Sequence, residues 1–325
     1  EVEAPGEAAE GVGDGHRDLP GQGPRQRDPD GREEVDEVEP PGGLGRLQPD
    51  RHAVADATLQ HPPVVPDEDA RRHAIALLLL ALVPSDALAW TPGTHILLGE
   101  TVLRNAALLP AALAALIREY PWDFLYGNIA ADTSIAKKYA RFGRHCHSWT
   151  VGFEILDRAR EPQLESFAWG YLAHLAADVV AHNYFVPHQL AVTSATSAIG
   201  HSYWESRFET HLSQHFPRRA VEVIRRDHGA SDSHLDRVLS PTIFSTATNR
   251  RIFRGMVHAS DNAGWQRVFA LVAANSRWDL PEPMVGTHLA RSYDYVMDLL
   301  VREAGSVPYT YNVGVVGGDY FRTIG

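Results

Sequence analysis

The sequence predicts an all-α protein, and three observations carry that prediction. From Thr94 onward apolar residues recur at helical spacing. Ala and Leu dominate the segments between breakers, and the alternating β-branched pattern of strands is scarce. No internal repeat is visible, so the helices are expected to form one domain around a shared core.

The elements follow in order. Thr94 is a candidate N-cap for a helix reaching about Leu109, and Pro110 opens a second running to Tyr120. Further helices are expected near 148–160, 163–186, 201–216, 218–227, 262–275 and 288–303. Pro187 is expected to end the long segment at 163–186, because proline and the residue before it resist continued helix. The tail from Gly305 is rich in Gly, Tyr and Val and reads as irregular.

The chain ahead of these helices differs in kind. Residues 1–69 hold 18 Asp and Glu against 6 Lys and Arg, which accounts for the whole net charge of −11. Residues 1–70 therefore read as a disordered acidic leader, or as an over-extended reading frame, since such a composition buries too little apolar surface to offset chain entropy. Arg71 and Arg72 precede a short apolar run from Ala74 to Val83, and Ala87-Leu88-Ala89 then supplies a small-x-small step. That order describes a secretory signal peptide at 71–89, cleaved between Ala89 and Trp90. The run is far shorter than the roughly 20 residues a membrane span needs. The expected product is a secreted or periplasmic monomer, with a main domain at 90–304 and a tail at 305–325. The domain's charge is near balance, which argues against a broad nucleic-acid-binding surface. The single cysteine, Cys146, excludes an intrachain disulfide and every cysteine-rich zinc motif.

Histidine is the distinctive residue: thirteen of the 17 lie beyond residue 89. His95 falls close to the expected new amino terminus. Asp132 ends a short apolar segment, and Arg144-His145-Cys146-His147-Ser148-Trp149 follows. His174, Asp178 and His182 are spaced four apart within one helix, so they share a face over two turns; His201 and Glu205 stack likewise. Their neighbours Leu175, Val179 and Val180 are apolar, which places these polar groups against the interior. A buried carboxylate flanked by imidazoles needs compensation, and a divalent cation supplies it. Imidazole and carboxylate donors without a thiolate cluster suit zinc. His211 and His215 lie too far along the expected helix to join the group, and His228, His234, His258 and His288 have no spacing partner.

In this order the residues resemble the zinc-dependent phospholipase C superfamily, which also contains glycosylphosphatidylinositol-specific phospholipase D and the fungal single-strand nucleases. The resemblance runs over 90–216. It implies three zinc ions. Asp132, His147, His174 and Asp178 would hold one, with His147 preferred to His145 because it precedes an aromatic residue by two positions. His182, His201 and Glu205 would hold a second, with His188 the other candidate for the long helix. The amine and carbonyl of Trp90, with His95 and a bridging Asp178, would hold the third. Asp132 would orient or deprotonate the attacking water. The x3, x3 spacing of His174, Asp178 and His182 is that of the phospholipase D branch. The step from Trp90 to His95 is nuclease-like, and Glu205 is phospholipase-like. The resemblance thus implies a phospholipid or membrane-surface substrate and no protein partner. A nuclease using the same ions, with Lys137, Lys138, Arg141 and Arg144 as its local cations, is one alternative; a zinc-bearing module without catalysis is another.

Overall fold

The computed structural model describes residues 90–134, 139–140, 144–193 and 197–313. The chain divides into two units, Glu1–Pro62 and Pro63–Gly325, and every described residue belongs to the second. The expected leader and signal peptide, Lys137, Lys138, Arg141 and the tail beyond Val313 lie outside the described residues. Among the described residues there is no strand, and no helix is long and apolar enough to cross a membrane.

The central element is α5 (Pro162–Val180), numbered here among α1 (Pro92–Arg104), α2 (Ala111–Glu119), α3 (Pro121–Ala130) and α4 (Trp149–Arg158). Every α5 residue from Ser166 to Val180 is buried, the mark of a helix surrounded on all sides. It packs against α3, α4 and the long C-terminal helix α12 (Glu282–Arg302), while α1 covers α3. The α3–α5 contact is backbone to backbone. A Cβ on Gly127 would stand 2.1 Å from the Phe167 carbonyl oxygen, and one on Gly170 would stand 2.0 Å from that of Phe124. Only glycine at both positions permits this approach.

Several expectations need correction. Helix α1 starts at Pro92 with Thr91 as N-cap, not at Thr94, because proline is preorganised for the first helical position. It ends at Arg104, followed by a 3-10 turn over Ala106–Leu108. The segment around Gly127 is helix α3 in full. Pro187 does not end the long helix. A π turn over Ala181–Phe185 widens the coil just ahead of it, and the chain continues as α6 (Val186–Thr193). In that turn the Asn183 side-chain amide donates to the Val179 carbonyl.

The helix expected at 201–216 is α7 (Ser197–Glu209), and the one expected at 218–227 is α8 (His215–Ile224), which starts three residues earlier. Pro217 forces the break between them, because its ring cannot follow an uninterrupted helical turn. Two polar helices, α9 (Gly229–Val238) and α10 (Thr246–Ser260), are not expected from the sequence. Helix α11 is Ala263–Ala274, and α12 starts six residues earlier than the expected 288.

Candidate metal centre

The site assembles where the C-terminal end of α3, the segment before α4, the C-terminal half of α5 and α7 meet. Asp132 lies in the 3-10 turn Ala131–Thr133 that closes α3. His147 precedes α4, while His174 and Asp178 stand on α5. These four buried residues place one donor atom each within 4.8 Å of one another. His182, in the π turn, forms a second buried group with His201 and Glu205 of α7. The two groups adjoin: the His147 and His182 rings are 6.1 Å apart, and those of His182 and His201 are 5.5 Å apart. His145 and His188 belong to neither group.

Asp178 is the hub. Its Oδ2 lies 2.9 Å from His147 Nε2 and 3.1 Å from His174 Nε2. Its Oδ1 lies 3.2 Å from His95 Nε2 and accepts from the Trp90 backbone nitrogen at 3.5 Å. Trp90 and His95 are thus drawn to the same carboxylate. Trp90 is fixed there by an indole N–H donated to the Ala177 carbonyl at 3.0 Å and by contacts with Phe185 and Phe208. Asp132 Oδ1 is 3.3 Å from His147 Nε2, and His201 Nε2 contacts Glu205 Oε1.

The tautomers indicate which nitrogens serve as donors to a cation. His174 Nδ1 is 2.8 Å from the Asn128 carbonyl oxygen, and His182 Nδ1 is 2.7 Å from that of Val313. A carbonyl only accepts, so both rings carry a proton on Nδ1 and turn Nε2, the nitrogen a cation would take, into the cluster. This is the outer arrangement typical of metal-binding histidines. His147 Nε2 and His174 Nε2 face each other at 3.2 Å, a contact that a cation between them would relieve. His95 is wholly buried, and its Nδ1 has no hydrogen-bond partner among the described residues. Cys146 Sγ sits 3.1 Å from His147 Nδ1, on the side of the ring away from the cluster, so the thiol is not part of the donor set. Donors of imidazole nitrogen and carboxylate oxygen at this density fit zinc.

The ionisation pattern agrees. Burial, reinforced by the nearby His174, pushes His95 down to about 4, so its ring is neutral at pH 7. Burial opposes charge on Asp178 too, but His174, His147 and His95 hold its carboxyl well below the usual range. Burial likewise opposes charge on His174, and Asp178 and Asp132 overcome it, raising the imidazole to about 9. The pocket therefore favours positive charge among its carboxylates.

The helical domain is thus folded around two buried groups of histidine and acidic side chains that could hold metal ions. Residues 94–250 match the family model for zinc dependent phospholipase C, so this stretch of the chain is similar to that family. No curated protein and no solved structure matches the chain. The matched stretch contains every residue of both donor groups, while Trp90 and the segment ending at Val313 lie outside it. The contribution of Val313 was not legible in the sequence, because a backbone carbonyl carries no residue signature.

Proposed function

We propose that the chain is an exported, zinc-dependent phosphodiesterase of phospholipase C type that hydrolyses a phospholipid phosphodiester. The observation that supports this most is the convergence of Asp132, His147, His174 and Asp178 beside His182, His201 and Glu205, within a stretch that matches the family. The first four would hold one zinc, the next three a second, and Trp90 with His95 and Asp178 a third. When bound, zinc polarises phosphoryl oxygens and lowers the pKa of coordinated water towards 7.

The chain's own residues supply the rest. Asp132 accepts the proton of the attacking water on its carboxylate and orients that water. The Asn128 and Val313 carbonyls lock the tautomers of His174 and His182. Cleavage between Ala89 and Trp90 would free an α-amine at the nitrogen that already lies 3.5 Å from Asp178 Oδ1. An α-amine, with an ordinary pKa of about 7.7–8.0, loses its proton readily to coordinate zinc.

A nucleic-acid substrate would favour free basic side chains beside the site. Arg144 is instead committed to Glu154 and to the Val238 carbonyl. Incubation of zinc-loaded protein with phosphatidylcholine vesicles and, separately, with single-stranded DNA tests the reading. Release of phosphocholine from the vesicles is expected. Cleavage of the DNA alone would replace the proposal with a nuclease, and turnover of neither would leave a zinc-bearing module.

A further inference from the structure

The first turn of α1 carries Trp90 and His95 to Asp178, yet its N-cap residue, Thr91, makes no side-chain bond to the helix amides. The amide accounting is nonetheless complete. Pro92 has no N–H, and Thr94 and His95 both donate to the Thr91 carbonyl, at 3.0 and 3.2 Å. The one remaining donor, Gly93 N, is met by Glu209 Oε1 at 3.1 Å, while the Thr91 hydroxyl pairs with that of Thr94 at 3.2 Å. Glu209 is the last residue of α7, one turn beyond Glu205. A Cβ on Gly93 would stand only 2.2 Å from Glu209 Oε1, so glycine at this position is what lets the carboxyl group reach the amide.

We propose that Glu209 is a positioning residue, which caps α1 from α7 and so sets Trp90 and His95 in place against Asp178. The cap comes from the helix that also supplies His201 and Glu205, so α7 ties the two ends of the site together. A carboxylate at a helix N-terminus is favoured by the exposed amides and the helix dipole. A glutamine retains an oxygen acceptor of the same reach, whereas alanine removes it. The inference deepens the zinc reading above and rests on it.

The test compares wild-type protein with Glu209→Ala and Glu209→Gln, each loaded with zinc. Graded chelation with zinc release followed in steps is one measurement; amide hydrogen exchange is the other. In Glu209→Ala one zinc is expected to leave at roughly ten-fold lower chelator concentration, the scale at which lost outer contacts weaken metal binding. Amides of residues 93–95 should exchange about five-fold faster, as after loss of a helix cap, with residues 171–180 unchanged. Glu209→Gln should match wild type in both measurements. Wild-type release with Glu209→Ala behaving identically would overturn the inference alone. Equal loosening of 93–95 and 171–180 would also overturn it, by showing a merely structural residue. Wild-type protein that holds no zinc would overturn both this inference and the reading beneath it.

Discussion

Asp178 presents its two carboxylate oxygens to different neighbours, Oδ1 to Trp90 and His95, Oδ2 to His147 and His174. Replacing it with asparagine puts an amide N–H where one of those acceptors stood. Asp178→Asn is expected to abolish turnover and to lower zinc content, with a loss of thermal stability through the lost binding linkage. His188, partly exposed and outside both donor groups, provides the contrast: His188→Ala should leave zinc content unchanged. Elemental analysis of the two purified variants checks both outcomes.

Glu209 yields a pH prediction. Desolvation pushes its carboxyl up to about 7, against the lowering by the Thr91 hydroxyl and the Gly93 amide beside it. With its folded pKa above the unfolded value, the native state binds more protons than the unfolded chain between about pH 4.5 and 7. Its stabilisation is therefore complete below the unfolded value and is lost as pH rises through 7. Glu209→Gln removes this dependence. The melting temperature of the variant relative to wild type should rise between pH 4.5 and 7.5, as melting curves across that range would show.

At the scale of elements, the α3–α5 contact sets the floor of the site. It brings the Asn128 carbonyl to His174 Nδ1 and leaves Asp132 facing Asp178's neighbours. Gly127→Ala would press a methyl group against the Phe167 carbonyl and the Tyr171 amide, at 2.1 and 2.7 Å. Because both obstacles are backbone, the helices must separate. Overpacking of this kind costs about 1–3 kcal/mol and more when backbone moves. The variant should melt lower and hold less zinc. Gly286→Ala on α12 is the control: no atom lies within 4 Å of its added methyl, so the melting temperature should hold or rise. The segment that ends at Val313 is a second such device, reaching back so that the Asn312 and Val313 carbonyls accept from Asn183 and His182.

At the scale of the whole molecule, the metal centre and the core are one object. α5 is buried throughout its inner length and holds two donors of the first group, so loading the site stabilises the native state alone. A ligand present at a thousand times its Kd contributes about 4 kcal/mol. For a domain of about 150–250 residues that corresponds to roughly 8–16 °C in melting temperature. Removal of zinc with a chelator is expected to lower Tm by that amount and its return to restore it. Elemental analysis should give two to three zinc per chain. Protein beginning at Trp90 should hold one zinc more than protein beginning at Ala87, where the same nitrogen is an amide.

What the sequence determined by itself was the chemistry that depends on short separations. The four-residue steps from His174 to Asp178 and from His201 to Glu205 fix neighbours on a helix whatever the surrounding fold, so both pairs could be read directly. Apolar periodicity likewise identified α2, α4 and α5 within a few residues. The tertiary structure alone decided what depends on contacts across long separations. It carried the long helix through a π turn past Pro187, and it placed Asn128 and Val313 behind the donor histidines. It also brought Glu209 to the first turn of α1, 116 residues away from Gly93. Backbone carbonyls and amides recur at every position, so which of them meets a given side chain is set by packing and not by residue type.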